Sequence, residues 1–114
     1  MHIEQTTKKV FKMQNVKSIF AGIRLWAINK NLLMGSTWQK QWGKLEEEIK
    51  EAKVALESGD LAAIKDELGD CAVVLTVIAA QHGLNLEDCL EAALLKISKR
   101  KGKMVDGVFV KDGY

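Results

Sequence analysis

The sequence predicts an all-α domain built as a four-helix bundle. Three observations carry this. No proline occurs in the 114 residues, the β-branched residues show no period-two alternation, and four segments carry apolar residues at helical spacing between short polar breaks. In the first segment, about 17–30, Ile19, Phe20, Ile23, Trp26 and Ala27 recur at helical spacing until Asn29-Lys30-Asn31 and Gly35 interrupt it. Ser36 is the expected cap of the second helix, with Gln39 at the capping-box position, and this helix runs to about Glu57. Its apolar stripe reads Trp38, Trp42, Leu45, Ile49, Ala52 and Leu56, with Glu48 at the border and Glu51 further round. Ser58-Gly59-Asp60 turns the chain, and Asp60 caps a third helix over about 61–82. His82-Gly83 ends it; Asn85, with Asp88 three residues on, opens a fourth that runs to about Lys101.

Three regions follow from this reading: a polar N-terminal segment 1–16, a helical domain 17–101, and a basic, glycine-containing tail 102–114. The tail is expected to be irregular or to hold a short β-like piece around Val108-Phe109-Val110. The third helix is apolar over much of its circumference after Asp70. A helix of that kind needs burial on several sides, so the helical core is expected to be shared in a homodimer or a dimer of dimers.

Composition narrows the function classes. Apolar residues make up 47% and charged residues 28%, an ordinary soluble balance, and the net charge of +2 does not favour nucleic acid as a partner. The positive charge is uneven, with five cations in the eight residues 96–103. Cys71 and Cys89 lack metal-ligand spacing, and a reducing compartment fits them. No apolar stretch resembles a signal peptide, and the uncharged run from Cys71 to Gln81 is too short to span a bilayer, so a cytoplasmic location is expected.

Two acidic pairs carry the chemistry. Glu48 and Glu51 are one pair, Glu67 and Asp70 the other, each at i,i+3 spacing that places both carboxylates on one side of a helix, one turn apart. Antiparallel packing of the two helices brings all four carboxylates to one point, and hard oxygen ligands in a helical bundle suit Mg²⁺, or Mn²⁺ in its place. The second pair is the more informative. Glu67 shares a narrow arc of the helical wheel with Cys71, Val74 and Ile78, and Asp70 flanks it, so these carboxylates continue a core-facing stripe. Burying an unpaired carboxylate costs several kcal/mol, so a cation or strong donors should be nearby.

A nucleotide is the substrate class that matches. Mg²⁺ binds through a few carboxylates together with substrate phosphates. Lys96 and Arg100, at i,i+4, and Lys103 are candidates to grip phosphate, although the same residues can stay solvated and complement the end of the fourth helix. Trp38 can stack on a base and Gln41 can read its edge, with Trp26 a second stacking candidate. For each tryptophan ordinary core packing is the alternative, and Trp42 is read that way.

With those residues in view, the chain resembles the MazG-like all-α nucleoside triphosphate pyrophosphohydrolases. That family is marked by an E-x-x-E pair and an E-x-x-D pair; Glu48-Ile49-Lys50-Glu51 and Glu67-Leu68-Gly69-Asp70 match them, with fifteen residues between. The run-in Lys44-Leu45-x-Glu47 and the tail Arg100 to Lys111 extend the likeness, which covers about residues 17–112. The resemblance implies cleavage between the α and β phosphates of a nucleoside triphosphate, giving a monophosphate and pyrophosphate. It implies Mg²⁺ held by Glu48, Glu51, Glu67 and Asp70, a catalytic role for Glu48, and a water-orienting or basic role for Glu47. It also implies phosphate contacts from Lys96 and Arg100 and a helical dimer or tetramer. Two places depart from the pattern: Lys50 stands where a small residue is frequent, and Leu94-Leu95 where many relatives carry asparagine, which points to a different nucleotide preference. The competing reading is a non-catalytic helical module, either a nucleotide sensor or a nucleic-acid binder acting through residues 96–103.

Overall fold

The computed structural model describes residues 16–113. Four helices appear in chain order: α1 (Val16–Asn29), α2 (Trp38–Ser58), α3 (Leu61–Gln81) and α4 (Leu86–Ser98). A two-stranded antiparallel hairpin follows, β1 (Gly102–Val105) and β2 (Val108–Lys111). The N-terminal segment lies outside the described residues, apart from Val16, which opens α1. No helix among the described residues is long and apolar enough to cross a membrane.

Local chemistry sets the helix boundaries. Asn31, at φ 56°, closes α1 in the left-handed region, and the Leu32 amide reaches back to the Ala27 carbonyl at 2.9 Å. The cap of α2 is Thr37, whose Oγ1 accepts from the Lys40 amide at 3.3 Å; this corrects the expectation of Ser36. Gly59, at φ 73°, ends α2. Asp60 caps α3 as expected, its Oδ1 accepting from the Ala62 and Ala63 amides at 3.0 and 3.4 Å. Asn85 stands at the cap position of α4 but makes no side-chain bond to the backbone there; its Nδ2 donates to Asp88 Oδ2 at 3.4 Å instead. That helix ends at Ser98, three residues short of the expected Lys101.

The α2–α3 hairpin is the heart of the fold and positions the site. The buried residues of α2 are Leu45, Glu48, Ala52 and Ala55, a 3-4-3 spacing that makes one narrow seam. On α3 the buried set includes Val74 and Val77, and two residues of the same seam nearer its start are Glu67 and Asp70. The predicted stripe of α2 is therefore rotated. Trp38, Trp42, Ile49 and Leu56 are each about half exposed, and Glu48, expected at the border, is only 6% exposed. Trp42 is not a core residue in the single chain.

The other helices are fixed by polar links. Arg24 of α1 donates from Nη1 and Nη2 to the two carboxylate oxygens of Glu87 on α4 at 2.6 and 2.7 Å, a bidentate pair with both side chains largely shielded. The guanidinium's hydrogen bonds hold the Glu87 carboxyl below its usual range, and the same pairing raises Arg24. Gln81 Nε2, at the end of α3, donates to the Leu32 carbonyl at 3.2 Å and ties the α1–α2 loop down.

The tail is the main departure from an all-α chain. Val105-Asp106-Gly107-Val108 forms a two-residue turn with φ 48° at Asp106 and 81° at Gly107, the paired positive values that suit the twist of a hairpin. Gly102 faces Lys111 in the register, and a Cβ there would collide with the Val110 carbonyl, so the strands close only around glycine. Among the described residues, the hairpin packs against none of the helices.

Candidate metal centre and adjoining cavity

Glu48 from α2 and Glu67 and Asp70 from α3 converge, each offering an oxygen within 4.8 Å of the others. Packing places them there. They occupy seam positions that Leu45, Ala52, Val74 and Val77 fill on either side, so closing the seam forces the carboxylates together.

The electrostatics of this cluster are unfavourable without a cation. Burial, then the charge of Glu51, then hydrogen bonding with Glu48 and Glu51 push Glu67 up to about 7. Asp70 is raised as well, by burial first and then by Asp66 and Glu48, with Lys44 opposing. Glu48 Oε2 and Glu67 Oε2 are buried and have no hydrogen-bond partner among the described residues. Two orphaned oxygens within a group of three converging carboxylates are a donor set a hard divalent cation takes, so these residues fit Mg²⁺.

Lys44 supplies the only cation paired with the cluster among the described residues. Its Nζ lies 3.2 Å from Glu48 Oε1 and 3.5 Å from Glu47 Oε2, and the bond to Glu48 raises the Lys44 ammonium. Sequence reasoning assigned Lys44 no place in the site. The signal available was its i,i+4 spacing to Glu48.

The other expected site residues are distributed as follows. Glu51 stands beside Glu67 but outside the triad, in a second cleft with Lys50, Ala55 and Ala63. Glu47 is exposed, its side chain 67% accessible. Gln41 lines a cavity of about 440 Å³ that has Glu48, Asp70 and Lys44 along one part of its wall and Trp26, Leu32, Val73, Val74 and Val77 along the rest. Trp26, not Trp38, is therefore the aromatic residue on this cavity. Lys96 and Arg100 line a separate basic cleft with Lys99, Lys101 and Lys111 between α4 and the hairpin. Lys103 lies exposed on β1. A single chain thus joins Gln41 to the triad and leaves the basic residues of 96–103 on a different surface.

A hairpin of helices whose seam is broken by three converging carboxylates, beside a cavity with largely apolar walls, defines a helical acidic-site domain. The chain belongs to the MazG nucleotide pyrophosphohydrolase domain family, whose model matches residues 37–105. It is also 36% identical over 73 residues to a protein of Haemophilus phage HP1 (strain HP1c1) described as an "Uncharacterized 18.2 kDa protein in rep-hol intergenic region". That match covers 64% of this chain and 45% of the phage protein, so the chain aligns with less than half the relative's length. No solved structure matches the chain.

Proposed function

We propose that this chain hydrolyses nucleoside triphosphates, ribo or deoxy, to the monophosphate and pyrophosphate in a Mg²⁺-dependent reaction. The observation that carries the reading is the triad Glu48, Glu67 and Asp70, converging in the α2–α3 seam with Glu48 buried, Glu67 and Asp70 half-buried and two carboxylate oxygens orphaned, in a chain of this family. Glu48, Glu67 and Asp70 would hold the ion, with Glu51, next to Glu67, as the fourth ligand. Mg²⁺ held there would supply charge neutralisation for the polyphosphate and a more acidic water. Glu48, which would hold the ion and also lines the cavity, is assigned a catalytic role, and Glu47, one residue away and open to solvent, the water-orienting role. Lys44 is placed to turn from Glu48 towards phosphate once the carboxylates have a stronger partner. Incubation with a panel of NTPs and dNTPs and Mg²⁺ should release pyrophosphate, and EDTA should stop it. Absence of turnover across the panel, modified bases included, would favour the non-catalytic sensor.

We further propose that the working form is a homodimer or a dimer of dimers. Beyond alanine, the buried apolar core among the described residues of one chain holds only Leu45, Val74 and Val77. Trp42, Ile49 and Leu56 on α2, Leu68 and Leu75 on α3, and Leu90, Leu94, Leu95 and Ile97 on α4 are all at least 40% exposed. Apolar surface on that scale is rare in a monomer. A second copy would also offer the Trp38 ring, Lys96, Arg100 and Lys103 a route to a neighbouring site as substrate contacts. Sedimentation should give a dimer or tetramer, and Leu68→Glu with Leu75→Glu should shift it towards the monomer. A monomeric wild-type protein at micromolar concentration would refute the shared core.

A further inference from the structure

We propose that the β1–β2 hairpin is an arm that docks on a second copy of this chain, on the acidic stretch of its α2–α3 hairpin between residues 46 and 70. This rests on the oligomer proposed above and goes beyond it by naming the element that crosses and the surface that receives it.

The hairpin is fully built, yet no helix of its own chain covers it. Its register runs from Gly102 opposite Lys111 to Val105 opposite Val108, and the Asp112 amide closes its base on the Lys101 carbonyl at 2.8 Å. That register puts Met104, Phe109 and Lys111 on one face and Lys103, Val105, Val108 and Val110 on the other. Both faces are therefore largely apolar, and Met104, Val105, Val108, Phe109 and Val110 are all exposed. A two-stranded hairpin is at best marginally stable alone in water and needs a layer packed on it. Among the described residues, no helix of the same chain supplies that layer. The dimensions fit a projecting arm: the radius of gyration is 17.4 Å, against about 13 Å for a compact chain of this length.

Charge identifies the receiving surface. Residues 96–112 hold six cations and two carboxylates, whereas residues 46–70 hold nine carboxylates and three lysines. These two segments have opposite sign, yet the hairpin packs on neither α2 nor α3 of its own chain. A second copy lets them meet. Two-fold symmetry satisfies both surfaces at once, because each chain offers one basic arm and one acidic surface. The acidic stretch also has the apolar complement the arm needs. Ile49, Val54, Leu56 and Leu61 are exposed on it, and a cleft of about 420 Å³ bordered by Val54, Ala55 and Ala63 has room for a side chain of the arm. Docking there covers apolar area on both copies and leaves the lysines and carboxylates to pair around the rim. A nucleic acid strand would answer the cations of the arm but would leave Val105, Val108 and Val110 uncovered.

The test is photo-crosslinking of the full chain carrying benzoylphenylalanine in place of Phe109, in an equal mixture of ordinary and heavy-isotope-labelled protein. Irradiation should give a crosslinked dimer, and mass spectrometry should place the joined peptide within residues 46–70 of the other copy. In sedimentation, Val108→Asp and Phe109→Asp should each weaken association at least about tenfold while the helical circular dichroism is unchanged. Links confined to one chain, links to any other region of the second copy, or association unchanged in both variants would overturn the assignment. A dimer in which the probe at position 109 joins nothing removes the arm alone. A wild-type protein that sediments as a monomer removes the oligomer and the arm with it.

Discussion

Asp70→Asn and Glu48→Gln should each abolish Mg²⁺-dependent pyrophosphate release while the helical circular dichroism is retained. Loss of a partner behind a metal ligand typically costs about 10–100-fold, and loss of a ligand itself should cost at least that. The two substitutions are expected to part company in stability. Asp70 is raised by burial and by neighbouring carboxylates, so its ionised form is unfavourable in the fold without metal, and the neutral amide should melt higher in EDTA. Glu48 has the Lys44 ammonium at 3.2 Å, so Glu48→Gln gives up an ion pair along with the repulsion and should gain less. A dead variant that is more stable than wild type cannot owe its inactivity to unfolding. Undiminished turnover in both variants would remove the triad from the reaction. Loss of activity together with loss of helix would show that these carboxylates are there for the fold.

The parts of this site that were legible in the sequence are those governed by local spacing. The i,i+3 acidic pairs mark Glu48, Glu67 and Asp70, although Glu51 of the first pair is exposed and outside the triad, and Asp60 after Gly59 marks the turn that sets the helices antiparallel. What was not legible depends on which of two overlapping stripes is buried. On α2 the large residues Trp42, Ile49 and Leu56 outline one stripe, yet the single chain buries the smaller set Leu45, Ala52 and Ala55, through which α2 packs against α3. Periodicity ranks residues by hydrophobicity and does not see this preference for small side chains at a close helical seam. The same rotation carries Glu48 from the border to the interior. The Thr37 cap was missed because Ser36 and Thr37 are both competent, and only the trajectory of the loop decides between them. Val108-Phe109-Val110 marks one strand of the hairpin, and the Asp106-Gly107 turn beside it fixes the register. The placement of Lys96 and Arg100 away from the triad is a tertiary fact that i,i+4 spacing within α4 cannot carry.

Stability in the absence of metal should fall as pH rises from about 4.5 to 7, and Mg²⁺ should reverse the trend. Glu67 titrates near 7 in the folded chain against an ordinary value of 4.5. Between those two values the folded protein holds a proton that the unfolded chain has lost, so the slope of unfolding free energy with pH is negative. Below that window both states are protonated and the penalty vanishes; above it both are ionised and the full repulsion among Glu67, Glu51 and Glu48 remains. Asp70, also raised, acts in the same direction at lower pH. Glu87, lowered by Arg24, acts in the opposite direction, and its contribution is lost only as pH falls through its depressed value, which separates the two limbs of the curve. Glu67→Gln removes the titrating group and should flatten the neutral limb. Mg²⁺ prefers the ionised cluster, so its effect should grow with pH. At a hundredfold excess over its dissociation constant, binding to the folded state alone adds about 2.7 kcal/mol. For a domain of this size that is a rise of roughly 10 °C or more in melting temperature. Melting curves at pH 5, 6, 7 and 8, with EDTA or with Mg²⁺, for wild type and Glu67→Gln, test this. If the EDTA curves rise between pH 5 and 7, or if Mg²⁺ stabilises Glu67→Gln as much as wild type at pH 8, Glu67 is neither the strained carboxyl nor a ligand.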